Sequence, residues 1–479
     1  MATIRARYDE KEVVMTTLSI DDAPLTGFHL RVAAFTTGGQ FCDGYILGMT
    51  GIALAVASPE LGLGTIWNGL IAAAALAGIL VGAVVFGPVS DRIGRQKLYT
   101  LDLLAFVVGA VLQFFVEDAW QLFLLRLLMG VCIGADYAIG EPLLAEFTPR
   151  KYRGRMLASL NAVWTVGYVV AYVVGFGLQH LGSGSWRWML ASAAIPALLV
   201  VLLRFGTPES PRWLVSKGRV EEARDIVHRY IGPNIGIGDL EAHTGPERSA
   251  MDSLREIFSP RWRTRTIVAG LFYACQTVPY FALFSFAPQI LSSLGLRDEF
   301  TGGLVLNIFL LLGAVVGVLV MDRLPRRAFL LWSFGIAAVT LAPLGLWTHA
   351  PVMFSVGLFA VFAFVLAAAT NLDTLYPNEL FPTALRASGV GVAVGMSRIG
   401  AAIGTFLLPL GISGFGIGPV LLVGCLILLV GLVVCAKWAP ETRGVTLEEA
   451  SGAHTLVDTA MPVVPQHTAA PIGTFDRQD

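Results

Sequence analysis

Twelve long apolar stretches decide what this chain can fold into. They run at roughly 30–57, 66–88, 98–116, 121–145, 157–179 and 186–205, then at roughly 267–292, 303–321, 328–347, 351–375, 388–410 and 415–438. Most reach the ~20 residues that a helix needs to cross a hydrocarbon layer about 30 Å thick. The expected fold is an all-α membrane protein with twelve transmembrane helices. Only 14% of the residues are charged and 55% are hydrophobic, whereas a soluble chain carries about 25% charged residues. The net charge of −1 singles out no partner beyond the bilayer, and nothing points to nucleic acid.

Positive residues set the orientation. One set of short loops holds Arg92, Arg95, Lys97, Arg150, Lys151, Arg153, Arg155, Arg323, Arg326, Arg327 and Arg386; the alternate set holds Arg297, with Arg187 at a border. Loops rich in Lys and Arg stay in the cytoplasm, so both termini are expected there. The first 27 residues are polar and lack a signal-peptide hydrophobic region. No Asn-x-Ser/Thr acceptor occurs, which fits a bacterial inner membrane. Cys42, Cys132, Cys275, Cys425 and Cys435 all fall within spans, at spacings that suit neither zinc nor a disulfide framework. Packing is the expected role, and no metal or cofactor is expected.

The polar interval 206–265 splits the spans six and six. The expected organisation is an N-terminal segment 1–27, helices within 28–205, a central loop 206–265, helices within 266–438 and a tail 439–479. Beyond Glu449 the tail is rich in Pro, Ala and Thr, and disorder is expected. The halves echo each other. EFTPRKYRG (Glu146 to Gly154) ends the fourth span and ELFPTALRASG (Glu379 to Gly389) ends the tenth, each with glutamate and arginine seven apart. GPVSDRIGRQK follows the second span and VLVMDRLPRR the eighth. Such doubling around a long central loop marks two-bundle transporters that rock about a midplane site.

GPVSDRIGRQK at 87–97 resembles the loop signature of the major facilitator superfamily. PESPRWL at 208–214, PETRG at 440–444 and RLLMGVCIGADY at 126–137 resemble signatures of its sugar-porter-like branch. The resemblance covers nearly the whole chain. It implies two six-helix bundles (the major facilitator fold), alternating access, a small-molecule substrate and a monomer. The seventh span departs from sugar porters of the glucose-transporter kind: FYACQTVPYFALFSFAPQIL carries Gln276 without an adjacent glutamine, in place of a Gln-Gln and Gly-Asn pattern. FCDGY and GADY resemble instead proton-coupled metabolite symporters, including aromatic-acid and nicotinate-type carriers. The seventh-span acid of phosphate carriers is missing.

Asp43, Arg126, Asp136 and Arg398 lie well inside the spans. Each costs roughly 2.5–3.5 kcal/mol on insertion scales, so each needs a cavity or a partner. A salt bridge that only orients helices is the plain alternative for any one of them. Asp43 lies ~20 Å deep, at 1.5 Å per residue. An acid protonated on one side of the membrane and released on the other is what proton coupling requires, and Asp43 and Asp136 are the candidates. The resemblance gives the same two positions proton-carrying or coupling roles. Gly130, Gly134 and Gly140 around Asp136 allow close helix approach. Arg398, also near midplane, has the planar fork that suits a substrate carboxylate, with a protein acid as the competing partner. Arg126 is read equally as a cavity residue or a helix-orienting one.

Tyr45, Trp164, Tyr168, Tyr273, Gln276, Tyr280, Phe284, Asn307 and Asn371 could complete a pocket of rings with polar tips. The cluster in the seventh span stands out because Pro279 and Pro288 mark a bend. Asp91 could cap a helix across the bundle. The resemblance places Arg92, Arg95, Glu146 and Arg153 in a gating charge network, with Glu379, Arg386, Asp322 and Arg323 as its counterpart.

No nucleotide-binding G-x-x-x-x-G-K-[ST] occurs, which excludes a primary pump of that kind, and no enzymatic activity is expected. Duplicated halves argue against a channel, and the buried acids argue against a sensor. Three transport readings remain: proton symport of a small organic anion, sugar or polyol transport, and export in exchange for protons.

Overall fold

A computed structural model describes residues 18–238, 250–321 and 323–443. Asp322, the side chain of Asp91 and the tail expected to be disordered lie outside the described residues. Among those described, twelve helices are long and apolar enough to cross a membrane. In order they are Gly27–Glu60, Thr65–Ser90, Arg95–Phe115, Ala119–Phe147, Arg150–Leu181, Ser185–Arg204, Arg263–Ser285, Phe300–Met321, Arg326–Leu346, Val352–Leu380, Leu385–Phe415 and Ile417–Trp438. Each lies close to one of the apolar stretches, because helix is the structure that satisfies every backbone polar group within its own segment.

The packing is duplicated. In the first half the second span lies along the fourth, the first along the fifth and the third along the sixth. In the second half the eighth lies along the tenth, the seventh along the eleventh and the ninth along the twelfth. Every pair in one half therefore maps onto a pair in the other. Contact between halves obeys the same relation, with the second span against the eleventh and the fifth against the eighth.

Glycine sets how closely some of these helices approach. A Cβ on Gly134 would overlap the Ile79 carbonyl of the second span, and one on Gly44 would overlap the Trp164 carbonyl of the fifth. The first of these contacts is the close approach expected around Asp136. The second brings the middle of the first span against Trp164.

The seventh span is interrupted near its end. The seventh ends at Ser285; Phe286 leaves helical geometry (φ −123°, ψ 23°), and a short helix Ala287–Ser293 follows. This break comes just before Pro288, whose ring tolerates the first turn of a helix but not its interior. In the tenth, Val352–Ala369 and Asn371–Leu380 meet at Thr370, which keeps helical angles (φ −59°, ψ −21°). Asn161 of the fifth span donates to the Thr370 carbonyl at 3.2 Å, a hydrogen bond that crosses between the halves. The eighth span is capped by Asp298, which accepts from the Thr301 backbone at 3.0 Å. Bonds from Thr301, first through its hydroxyl and then its backbone, hold the Asp298 carboxyl below its ordinary range.

The central loop carries short helices Pro211–Ser216, Val220–Tyr230 and Ala250–Ile257. Leu18–Ser19 pairs in parallel with Ile235–Gly236, and Asp21 takes ion pairs from Arg153 and Arg212, the latter at 3.0 Å. The start of the described chain is thereby clasped to its middle. All five cysteines are buried and unpaired.

Candidate functional site

A cluster of polar and aromatic side chains fills the centre, between the halves. Arg398 lies midway along the eleventh span and is 8% exposed. Its guanidinium carbon is 5.4 Å from the Phe281 ring centroid and 5.8 Å from that of Tyr137. No carboxylate reaches within ion-pair distance of it among the described residues, and its Nε has no hydrogen-bond partner. Asp43, Glu141 and Asp373 feel its charge only through space. Buried arginine usually has a bonded anion, since desolvating a lone cation costs several kcal/mol. This one has aromatic faces instead.

Rings connect the cluster. Trp164 stacks on Tyr168 at 5.5 Å and meets Phe281 edge-on at 6.3 Å. Tyr168 lies 6.4 Å from Tyr280, and Tyr280 lies 5.0 Å from Phe284. Gln276 falls between Tyr273 and Tyr280 at helical spacing, on the face of the seventh span directed away from its neighbours Ala274 and Val278, which pack on the eleventh. Gln276 is 1% exposed, and neither of its amide atoms is bonded.

Asn307 follows from register. Tyr172 donates to the Phe300 carbonyl and packs on Gly303. The fifth and eighth spans are antiparallel, so one turn along each brings Asn307 to the level of Tyr168. Its Nδ2 bonds the Gly303 carbonyl at 2.9 Å and its Oδ1 has no partner.

The remaining pocket candidates point elsewhere. The Tyr45 hydroxyl bonds Ser192 of the sixth span at 2.8 Å. The Asn371 amide donates to the Ala314 and Ala368 carbonyls, tying the eighth span to the tenth. Arg126 donates to the Thr50 hydroxyl and, at 3.3 Å, to the Ile46 carbonyl, which links the fourth span to the first.

Asp43 is 1% exposed and lies midway along the first span. Its Oδ2 has no partner, and the Asp136 carboxylate packs on Gly39, one turn earlier on the same span. On its other side, Asp136 accepts from Arg204 Nη2 at 2.7 Å. Arg204 Nη1 donates to the Tyr99 carbonyl and, at 3.3 Å, to Asp102. The Arg204 guanidinium also covers the Tyr99 ring at 3.4 Å. Asp136, Arg204 and Asp102 thus form one buried chain across three spans, and Asp43 lies one turn from where it meets the first.

Sequence reasoning missed Arg204 and Asp102 in that chain, and Tyr137, Glu141, Phe281 and Asp373 at the centre. Arg204 closes an apolar stretch, where an arginine reads as a topology signal. Asp102, Glu141 and Asp373 were legible as acids inside spans.

The gating candidates gather at the end that carries the central loop, in two matching sets. Glu146 takes an ion pair from Arg95 and a hydrogen bond from the Ser210 hydroxyl. Glu379 takes Arg326 at 3.6 Å and the Thr442 hydroxyl at 2.5 Å. Glu209, from PESPRWL, accepts from the backbone of Arg95 and Gln96 at 3.0 and 3.1 Å. Glu441, from PETRG, accepts from Arg326 and Arg327 at 2.8 and 3.0 Å. Each glutamate satisfies two orphan donors at a helix N-terminus, where the dipole favours negative charge. Arg153 is taken by Asp21, not by Glu146. Arg92 and Arg386 complete the basic residues at this end.

Comparisons with known proteins agree with this architecture. A family model described as "Sugar (and other) transporter" matches residues 33–453. The inner membrane metabolite transport protein YgcS of Escherichia coli K12 is 42% identical over 89% of this chain and 95% of its own. The glucose transporter GlcP of Staphylococcus epidermidis is 28% identical over 86% of this chain and 94% of its own. The inward-open structure of the xylose transporter XylE from E. coli superposes with a TM-score of 0.76 at 20% identity, covering 89% of this chain and 99% of that one. The backbone therefore has the major facilitator fold. The chain belongs to the sugar and metabolite transporters of the major facilitator superfamily, multi-pass membrane carriers and not enzymes.

Proposed function

We propose that this transporter carries a small organic anion in symport with protons, by alternating access between the halves 28–205 and 266–438. The observation behind the reading is Arg398: a guanidinium at mid-span, buried among aromatic faces, without a bonded anion among the described residues. A substrate carboxylate supplies that anion, and the planar fork takes it in a bidentate grip.

Asp43 is the proton carrier in this reading, and Asp136 its exchange partner. The placement of the Asp136 carboxylate against Gly39, one turn from Asp43, supports the assignment. Carrier and clamp both lie at mid-span, in an interior where charges act on each other over distance far more than in water. Loading one site therefore changes the energy of the other, which is the coupling that symport needs. XylE, described as a proton:xylose symporter, shares the fold and lends support to proton coupling. The end with the central loop faces the cytoplasm in this assignment. Arg95, Glu146, Glu379 and Arg326 hold its helices in register while the halves move.

The test is uptake of radiolabelled acids into proteoliposomes with an imposed pH gradient. Acidifying the side opposite the central loop is expected to drive accumulation. Asp43→Asn is expected to abolish this drive while leaving exchange of labelled for unlabelled substrate. Accumulation by the Asn variant equal to that of the parent protein removes Asp43 from the proton path.

A further inference from the structure

Six buried atoms at the centre lack hydrogen-bond partners, and their chemistry is mixed. Arg398 Nε, Gln276 Nε2 and Trp164 Nε1 are donors; Gln276 Oε1, Asn307 Oδ1 and Asp373 Oδ1 are acceptors. The five side chains are 8%, 1%, 8%, 2% and 6% exposed for Arg398, Gln276, Trp164, Asn307 and Asp373 respectively. Buried polar atoms in folded proteins are almost always bonded, so a substrate that belongs here has to supply the missing partners.

A bare carboxylate offers only acceptors. It can serve the donors of Arg398, Gln276 and Trp164, and leaves three acceptors on three different helices unbonded. An aromatic acid has the same shortfall. A neutral sugar offers hydroxyl donors but no anion for Arg398. A single ammonium group is one point of donation and cannot serve acceptors spread over the seventh, eighth and tenth spans.

Deepening the anion reading above, on which it rests, we propose that the substrate is a polyhydroxylated carboxylate of the sugar-acid class. Arg398 takes its carboxylate, and its hydroxyls donate to Asp373, Gln276 and Asn307. Its C–H faces lie on Phe281, Tyr280 and Trp164. Sites built to bond a hydroxyl reject analogues lacking it by factors of about 10⁴–10⁵, so hydroxyls are expected to dominate selectivity among acids.

The experiment is calorimetric binding to the purified full-length chain, using gluconate, galactonate, glucuronate, galacturonate, glucose, benzoate and alanine. At least one sugar acid is expected to bind at least 100-fold more tightly than glucose, benzoate and alanine. Asp373→Ala and, separately, Asn307→Ala are expected to weaken that acid at least 10-fold, and by a larger factor than either changes the weak binding of benzoate. Thermal unfolding of each variant verifies folding, and two positions guard against one failing to fold. Benzoate binding as tightly as every sugar acid overturns this inference and leaves the anion reading standing. Alanine binding tightest overturns it in favour of an amphoteric substrate. Glucose binding as tightly as the sugar acids, or no acid binding at all, overturns both.

Discussion

Glu209 and Glu441, from opposite halves of the chain, perform the same task on corresponding helices. Each accepts two backbone N–H groups at the start of a span, the third for Glu209 and the ninth for Glu441. The neighbouring hydroxyls, Ser210 and Thr442, then reach Glu146 and Glu379. Glu209→Ala and Glu441→Ala are each expected to destabilise the protein by about 1–2 kcal/mol, the upper range for a lost N-cap. The midpoint of thermal unfolding in detergent measures this. Glutamine at either position, which retains an acceptor, is expected to recover part of the loss. An unmoved midpoint for both alanine variants contradicts the capping role.

Arg204 neutralises a buried run of acids. Arg204→Leu leaves Asp136 and Asp102 without their cation and is expected to cost about 3–5 kcal/mol. Folded yield by size-exclusion chromatography reports it. Adding Asp102→Asn and Asp136→Asn to Arg204→Leu is expected to recover part of that yield, because the stranded charges are gone. A triple variant worse than the single one refutes this.

Gly44 admits the Trp164 carbonyl against the first span. Gly44→Ala is expected to force the helices apart at a cost of about 1–3 kcal/mol, the range for overpacking. Since the displaced segment includes Asp43, pH-driven uptake should fall more than folded yield does. Unchanged stability and uptake together show that the backbone accommodates the methyl group.

For Arg398 the discriminating change is to lysine. Arg398→Lys keeps the charge and loses the fork, so acid affinity is expected to drop at least 10-fold with folding intact. Equilibrium binding checks it, and an unchanged affinity means that charge alone suffices.

Much of the fold was legible because membrane insertion imposes length and apolarity on each span. Asp43 and Arg398 announced themselves as charges at mid-span. The direction of a side chain around its helix was harder to read. Asp43 and Tyr45 are two residues apart, about 200° around an α-helix, so the hydroxyl meets Ser192 on another face. Asn371 and Asp373 differ in the same way, one tying helices and one reaching the centre. Arg204 was lost because a basic residue at a span's edge is what topology alone produces. Which helices would stand beside its guanidinium depends on three-dimensional pairing, and span lengths do not encode that pairing.

The clasp between Leu18–Ser19 and Ile235–Gly236 joins segments more than two hundred residues apart. Ribosomes add about 5–20 residues per second, so on the order of 10–40 s separate the emergence of the two strands. Throughout that interval six helices enter the bilayer while the leading segment waits for its mate, and the latch closes as the first half is completed.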